Sequence, residues 1–78
     1  MIGLEEKVSI SFKFPVTTNV KLELFNIRGQ LIEEILSKTL NSGSHQVQIT
    51  AGDLASGIYI LKLQAGEQTR LRRILLIK

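Results

Sequence analysis

Residues that could perform catalysis are few in this chain, and their spacing suits no catalytic arrangement. His45 is the only histidine, and Ser44 and Asp53 are its candidate partners in a hydrolytic triad. On a strand, however, Ser44 and His45 point to opposite faces, and the sequence contains no nucleophile elbow. Glu33 and Glu34 are adjacent, so their carboxylates also diverge and cannot share an acid–base task. We therefore expect no catalytic residue and no enzymatic activity.

The chain also lacks the residue patterns that hold metals or cofactors. It contains no cysteine, which excludes both a disulfide framework and a thiolate zinc site. Glu5, Glu6 and Asp53 offer a loose set of carboxylates, without the spaced acidic loop that calcium sites need. None of the glycines belongs to a phosphate-binding motif. We expect no cofactor and no metal.

The charge pattern argues against nucleic acid as a partner. Ten basic and seven acidic residues give a net charge of +3. A nucleic-acid binder usually concentrates its basic residues on one face. Here Arg70 and Arg72 point to one face of a predicted strand and Arg73 to the other, so no dense patch forms. Because the apolar run 74–77 is too short to cross a bilayer, we expect no membrane insertion either.

Alternation of apolar and polar residues predicts strands along most of the chain. The clearest examples are 8–14, 20–26, 44–50 and 58–65, and a last strand covers 69–78. Turn-forming residues separate them, such as Asn26 and Gly29, the latter expected at positive φ. Together with 30–40, these segments predict an all-β fold. We expect one domain, 1–78, folded as a small antiparallel immunoglobulin-like or fibronectin-III-like sandwich of six to seven strands.

Segment 30–40 has two interpretations. Its apolar residues fall at helical spacing, and Glu34 precedes Lys38 by four residues, which favours a helix locally. The neighbouring segments are strands, however, and a bulge would also bring Ile32 and Ile35 to one face of a strand. We favour the bulged strand, because tertiary pairing often overrides weak local propensity.

The last predicted strand has no cleanly polar face. We expect its second half to be covered on both sides, or to contain a bulge near Arg72 and Arg73. Two positions in a sheet remain open for it. At an edge, its free N–H and C=O groups could pair with a partner strand, including that of a second copy of the chain; at the centre of a sheet, both its faces would be buried.

The only tyrosine, Tyr59, lies two residues after Gly57 at the start of a strand. In β-sandwiches a tyrosine at such a corner can bury its ring and bond its hydroxyl to a backbone group a few residues upstream. Gly57 permits the close approach, and Leu54 supplies an apolar plug in the crossing loop. We therefore predict a tyrosine corner joining the two sheets.

Four stretches occur in an order and spacing that are specific in combination. They are LFNIRGQLI (24–32), GSHQVQI (43–49), LASGIY (54–59) and a terminal strand with Arg72 and Arg73 that runs out to ILLIK. Together they resemble the type A C-terminal sorting domain of the type IX (Por) secretion system. The chain is also similar to the immunoglobulin-like domain of flagellar-hook capping proteins, so a generic structural or adhesion spacer is the alternative function. One departure is IGLEEK (2–7), where family members have an Asn-Pro-rich segment.

The resemblance implies a non-catalytic address at the C-terminus of a larger exported protein. Its implied partners are the outer-membrane translocon and a sortase-like processing protease. Its implied location is the periplasm in transit, then the cell surface or the medium. The implied recognition residues are Gly57, Tyr59, Gly66, Arg72, Arg73, Ile74, Leu75, Leu76, Ile77 and Lys78.

Overall fold

The fold is known from a computed structural model, which describes residues 7–50 and 54–77. Across those residues the chain forms six strands and no helix. The strands are β1 (Lys7–Phe14), β2 (Thr18–Asn26), β3 (Leu31–Leu40), β4 (Gly43–Thr50), β5 (Gly57–Ala65) and β6 (Gln68–Leu76). The predicted all-β class is confirmed, and the predicted strands agree with these bounds to within about two residues.

Two antiparallel sheets make up the sandwich. One sheet has four strands in the order β3-β2-β5-β6, and the other pairs β1 with β4. β2 and β5 are therefore central strands, whereas β3 and β6 are edges. The last strand, β6, lies at an edge of the larger sheet. The sequence allowed either an edge or a central position for it, and the structure shows the edge position.

The core lies between the inner faces of the two sheets. Strict alternation places Val20, Leu22 and Leu24 on the inner face of β2, where all three are buried. Tyr59 and Leu61 continue this layer on β5. The facing layer comes from β1, whose Phe12 and Phe14 rings stack with centroids 6.1 Å apart. Residues from all six strands thus contribute to one apolar cluster.

The segment with two interpretations, 30–40, is a bulged strand, as we favoured. Its register against β2 shifts between Leu22 and Glu23, and again between Leu24 and Phe25. The first shift leaves Ile35 without a partner, and the second does the same for Ile32. Each extra residue reverses the alternation once, which produces apolar spacing that imitates a helix.

The turn between β2 and β3 is organised by Asn26. Its side-chain oxygen accepts hydrogen bonds from the backbone N–H groups of Arg28 and Gln30, at 2.9 and 3.0 Å. Its carbonyl oxygen accepts another from Gly29 N–H at 3.0 Å. Gly29 has a φ of +83°, as predicted for this position. The same turn leaves Ile27 exposed.

The predicted double coverage of the last strand is wrong. β6 pairs with β5 in an unbroken register from Gln68 to Leu76, so no bulge occurs near Arg72 or Arg73. Leu75, on its outer face, is 61% exposed. The strand also ends at Leu76, short of the predicted Lys78, because its partner β5 begins at Gly57, directly opposite Leu76. Lys78 lies outside the described residues.

Candidate recognition surface

The predicted tyrosine corner is present at the start of β5. The Tyr59 side chain is 8% exposed and belongs to the core, and Leu54 packs against that core. The Tyr59 hydroxyl donates a hydrogen bond to the Ala55 carbonyl oxygen, four residues upstream, at 2.6 Å. The corner therefore ties the loop before β5 to the interior.

Gly57 makes the entry into this corner. Its φ of +152° lies in a region that L-residues rarely adopt, although a Cβ there would meet no heavy atom within 4 Å. The constraint at Gly57 is thus backbone conformation and not space. Since Gly57 pairs with Leu76 and Ile58 with Leu75, the corner also fixes the strand against which the end of β6 lies.

A tight hairpin joins β5 to β6 and sets which backbone groups of β6 are open. Gly66 has a φ of +61° while Glu67 has a negative φ, which is the pattern of a type II′ turn with glycine first. Gly66 N–H donates to the Asn19 carbonyl of β2 at 3.0 Å. The backbone N–H of Gly66 therefore faces β2. By alternation, the backbone groups of Ala65 and of every second residue before it in β5 face β6.

The same alternation carries across to β6. Every second residue of β6, starting at Gln68, lies opposite a β5 residue whose backbone groups face β6, so its own N–H and C=O groups bond to β5. The backbone groups of the β6 residues between them point away from β5. Within the described part of the chain, nothing pairs with that second edge. The N–H and C=O groups that face it belong to Thr69, Leu71, Arg73 and Leu75.

The side chains of β6 divide between the two faces of the sheet. Arg72, Ile74 and Leu76 share the inner face, and Leu76 is only 5% exposed. Arg73 and Leu75 lie on the outer face, opposite Ile60 and Ile58 of β5. The predicted recognition residues are thus a mixture of core and surface, and Ile77 beyond the strand is 69% exposed.

An apolar row across the outer face was not anticipated from the sequence. Phe25 of β2 lies opposite Leu31 of β3 on one side and opposite Ile60 of β5 on the other. One residue pair further, Ile58 and Leu75 continue the row to the edge. The signal was present in β5, where Ile58 and Ile60 occupy the alternate positions that should be polar if that face were solvated.

The residues considered above for catalysis or metal binding either make structural contacts or lie outside the described residues. His45 Nε2 donates to the Asn41 carbonyl at 2.7 Å, and its ring lies 6.1 Å from that of Phe14. Glu33 and Glu34 are opposite consecutive residues of β2 and so diverge. Asp53, Glu5 and Glu6 lie outside the described residues. Among the residues that are described, no group of three His, Asp or Glu side chains could hold a metal ion.

The described ranges also contain no helix with the length and apolar character needed to cross a membrane.

These features define a class: a small antiparallel β-sandwich, anchored by a tyrosine corner, with its C-terminal strand at an open sheet edge. The family model described as "Secretion system C-terminal sorting domain" matches residues 4–78. The chain belongs to this family and is a sorting domain of type IX secretion, which directs export towards the cell surface or the medium. Membership favours sorting over the spacer function. No curated protein and no solved structure matches the chain.

Proposed function

We propose that the type IX machinery recognises this chain through the open edge of β6, and that the chain itself catalyses nothing. The supporting observation is that β6 combines free backbone groups with exposed apolar side chains on one strand. Leu71 is 68% exposed and Leu75 61%. Arg70, Arg72 and Arg73 give this edge charge, but β6 has no bulge and no described strand covers it, which favours pairing with a partner.

The partners in this proposal are the outer-membrane translocon and, after it, a sortase-like processing protease. The chain would form the C-terminal domain of a larger exported protein and pass through the periplasm. Recognition would use Arg73, Leu75 and Ile77, which are accessible. The corner residues Gly57 and Tyr59 and the hairpin residue Gly66 would hold β6 in position without touching the partner.

The test is export of a reporter fused ahead of this chain in a type IX-competent cell. Deleting 75–78 is unsuitable, because Leu76 is a core residue and its loss would destabilise the sandwich. We therefore choose Leu71→Ser, Leu75→Ser and Ile77→Ser together, which alter only exposed side chains. We expect at least about a tenfold loss of reporter outside the cell, since a few apolar anchors usually dominate an interface.

A matched control replaces three exposed apolar residues away from β6: Val16→Ser, Ile27→Ser and Leu31→Ser. This variant removes similar apolar surface and should be exported normally. Thermal melts of both purified domains show whether either has lost its fold. Normal export of the β6 variant would contradict the proposal, and so would an equal loss in the control.

A second copy of this chain is the alternative partner whose strand would pair with the β6 edge. Two antiparallel β6 strands would pair through Leu71, Arg73 and Leu75 and merge the two four-stranded sheets. Sedimentation equilibrium at micromolar to millimolar concentration tests this homodimer. A dimer that the β6 variant abolishes would support it, whereas a monomer throughout would leave the edge to the secretion machinery.

A further inference from the structure

A groove separates β1 from β6, on the side where the smaller sheet stops short of covering the larger one. Its floor is made by Leu22, Leu61, Leu63 and Ala65, and residues 10–14 of β1 with the following Pro15 form one wall. Gln68, Arg70 and Arg72 of β6 form the other. The groove has a volume of about 580 Å³. Its size and apolar floor suit an extended segment of polypeptide.

The groove exists because the sandwich is asymmetric. Arg70 is opposite Leu63 and Arg72 is opposite Leu61, so both arginines lie on the inner face of the four-stranded sheet. Inner-face residues are normally buried, yet both arginines are exposed. An immunoglobulin-like sandwich commonly has three strands facing four. In the described part of this chain β1 pairs only with β4, so the position beside β1 is vacant.

The charge around the groove is of one sign. Lys13, Arg70 and Arg72 line it, and no acidic residue does. Across the described ranges, none of these three side chains forms an ion pair; the pair that is formed joins Lys21 Nζ and Glu23 Oε2, at 3.7 Å. Two of the positive charges stand on an inner face, where an incoming side chain would be partly desolvated. The groove therefore favours carboxylates.

We infer that this groove binds an extended acidic strand of a partner protein, which pairs with the open edge of β1 as a third strand of the smaller sheet. Its backbone would extend the β1–β4 ladder, and its inward side chains would contact Leu63 and the two arginines. The site goes beyond the sorting role and differs from the β6 edge, since it uses the backbone of β1 and the inner-face side chains of β6 and not the outward backbone groups of β6. The backbone supplies affinity, and the arginines supply the preference for acidic sequence.

Fluorescence polarisation with labelled peptides tests the inference on the full chain. The probe is a ten-residue peptide of alternating valine and glutamate. One comparison peptide replaces glutamate with lysine, and another keeps the acidic composition but carries a central proline, which cannot complete a ladder. We expect the acidic peptide to bind, with affinity falling as salt rises, and the other two to bind at least about tenfold more weakly.

Charge-matched variants locate the interaction. Arg70→Glu with Arg72→Glu should weaken acidic-peptide binding about tenfold or more, since both charges face the groove. The control, Arg28→Glu with Lys38→Glu, changes net charge equally at exposed positions on a turn and on β3 that do not line the groove, and should weaken it only about twofold. Equal weakening by the two variants would overturn the inference, because it would show attraction to net charge alone.

Amide chemical shifts of the unmodified chain give an independent readout that needs no variant. Titration with the acidic peptide should move the amides of residues 10–14 and 61–65. Shifts confined to Thr69, Leu71, Arg73 and Leu75 would place the peptide on the β6 edge and overturn the inference, as would absence of binding. Reporter export does not enter this test, so the sorting proposal and the groove can fail separately.

Discussion

Tyr59 ties the loop before β5 to the core. Its ring fills the core while its hydroxyl holds the Ala55 carbonyl at 2.6 Å. Replacing Tyr59 with phenylalanine keeps the ring and removes only this hydrogen bond. We expect a loss of about 1 kcal/mol in unfolding free energy, and at most about 2, because the exposed Ala55 can recruit water as a substitute. Urea denaturation of both proteins measures the difference.

A matched control removes a hydroxyl that forms no hydrogen bond with any residue that the structure describes. Thr69→Val on the outer face of β6 keeps the side-chain shape, and Thr69 is exposed. It should leave the urea midpoint within the error of measurement. If Tyr59→Phe were as stable as this control, the hydrogen bond would have no structural importance and the corner would rest on ring burial alone.

At the scale of single elements, the β5–β6 hairpin depends on Gly66. Its φ of +61° would strain any L-residue, and a Cβ there would come within 3.9 Å of Thr18 Cγ2, an ordinary contact. Gly66→Val should therefore cost about 1–2 kcal/mol through backbone strain, because β-branched residues tolerate positive φ worst. The urea midpoint again provides the measurement.

Gly66→Asn separates strain from packing at the same position. Asparagine accepts positive φ more readily than valine, so its cost should be less than half that of valine. Equal costs for the two substitutions would contradict the strain explanation and point to the side chain's surroundings instead.

The elements differ in how far local sequence determines them. Strict alternation sufficed for β1, β2, β4 and β5, because each has one face in a single continuous core. β3 was ambiguous, since the two bulges at Ile32 and Ile35 imitate helical spacing. The neighbouring strands favoured the strand interpretation, because pairing with them overrides the weak local helix propensity, and the segment does pair with β2.

β6 shows that a local sequence pattern cannot predict the position of a strand in its sheet. Its apolar outer residues predict coverage, but the strand order puts them at an uncovered edge. Strand order depends on pairing between residues far apart in sequence, which alternation does not encode. The groove beside β1 was beyond prediction for the same reason: it arises from the relative position of β1 and β6, which belong to different sheets.

At the scale of the whole molecule, the two layers are held together unequally. β2 and β5 each pair along both edges, whereas β1 and β4 pair only with each other in the described ranges. Among the described strands no backbone ladder joins the two sheets, so side chains such as Phe12 and Phe14 carry the contact between them. The open edge of β6 and the groove beside β1 both lie on the flank where this coverage ends.

Unequal coupling should appear in native-state hydrogen exchange. Amides of β2 and β5 should exchange only through global unfolding, while those of β1 and β4 should exchange about tenfold faster or more, because their layer can open first. Phe12→Leu should widen that gap, since it weakens only the contact between layers, and Val16→Ala at an exposed position should not. Uniform protection across all six strands, unchanged by Phe12→Leu, would contradict this picture and show that the thin second layer folds and unfolds with the sheet it covers.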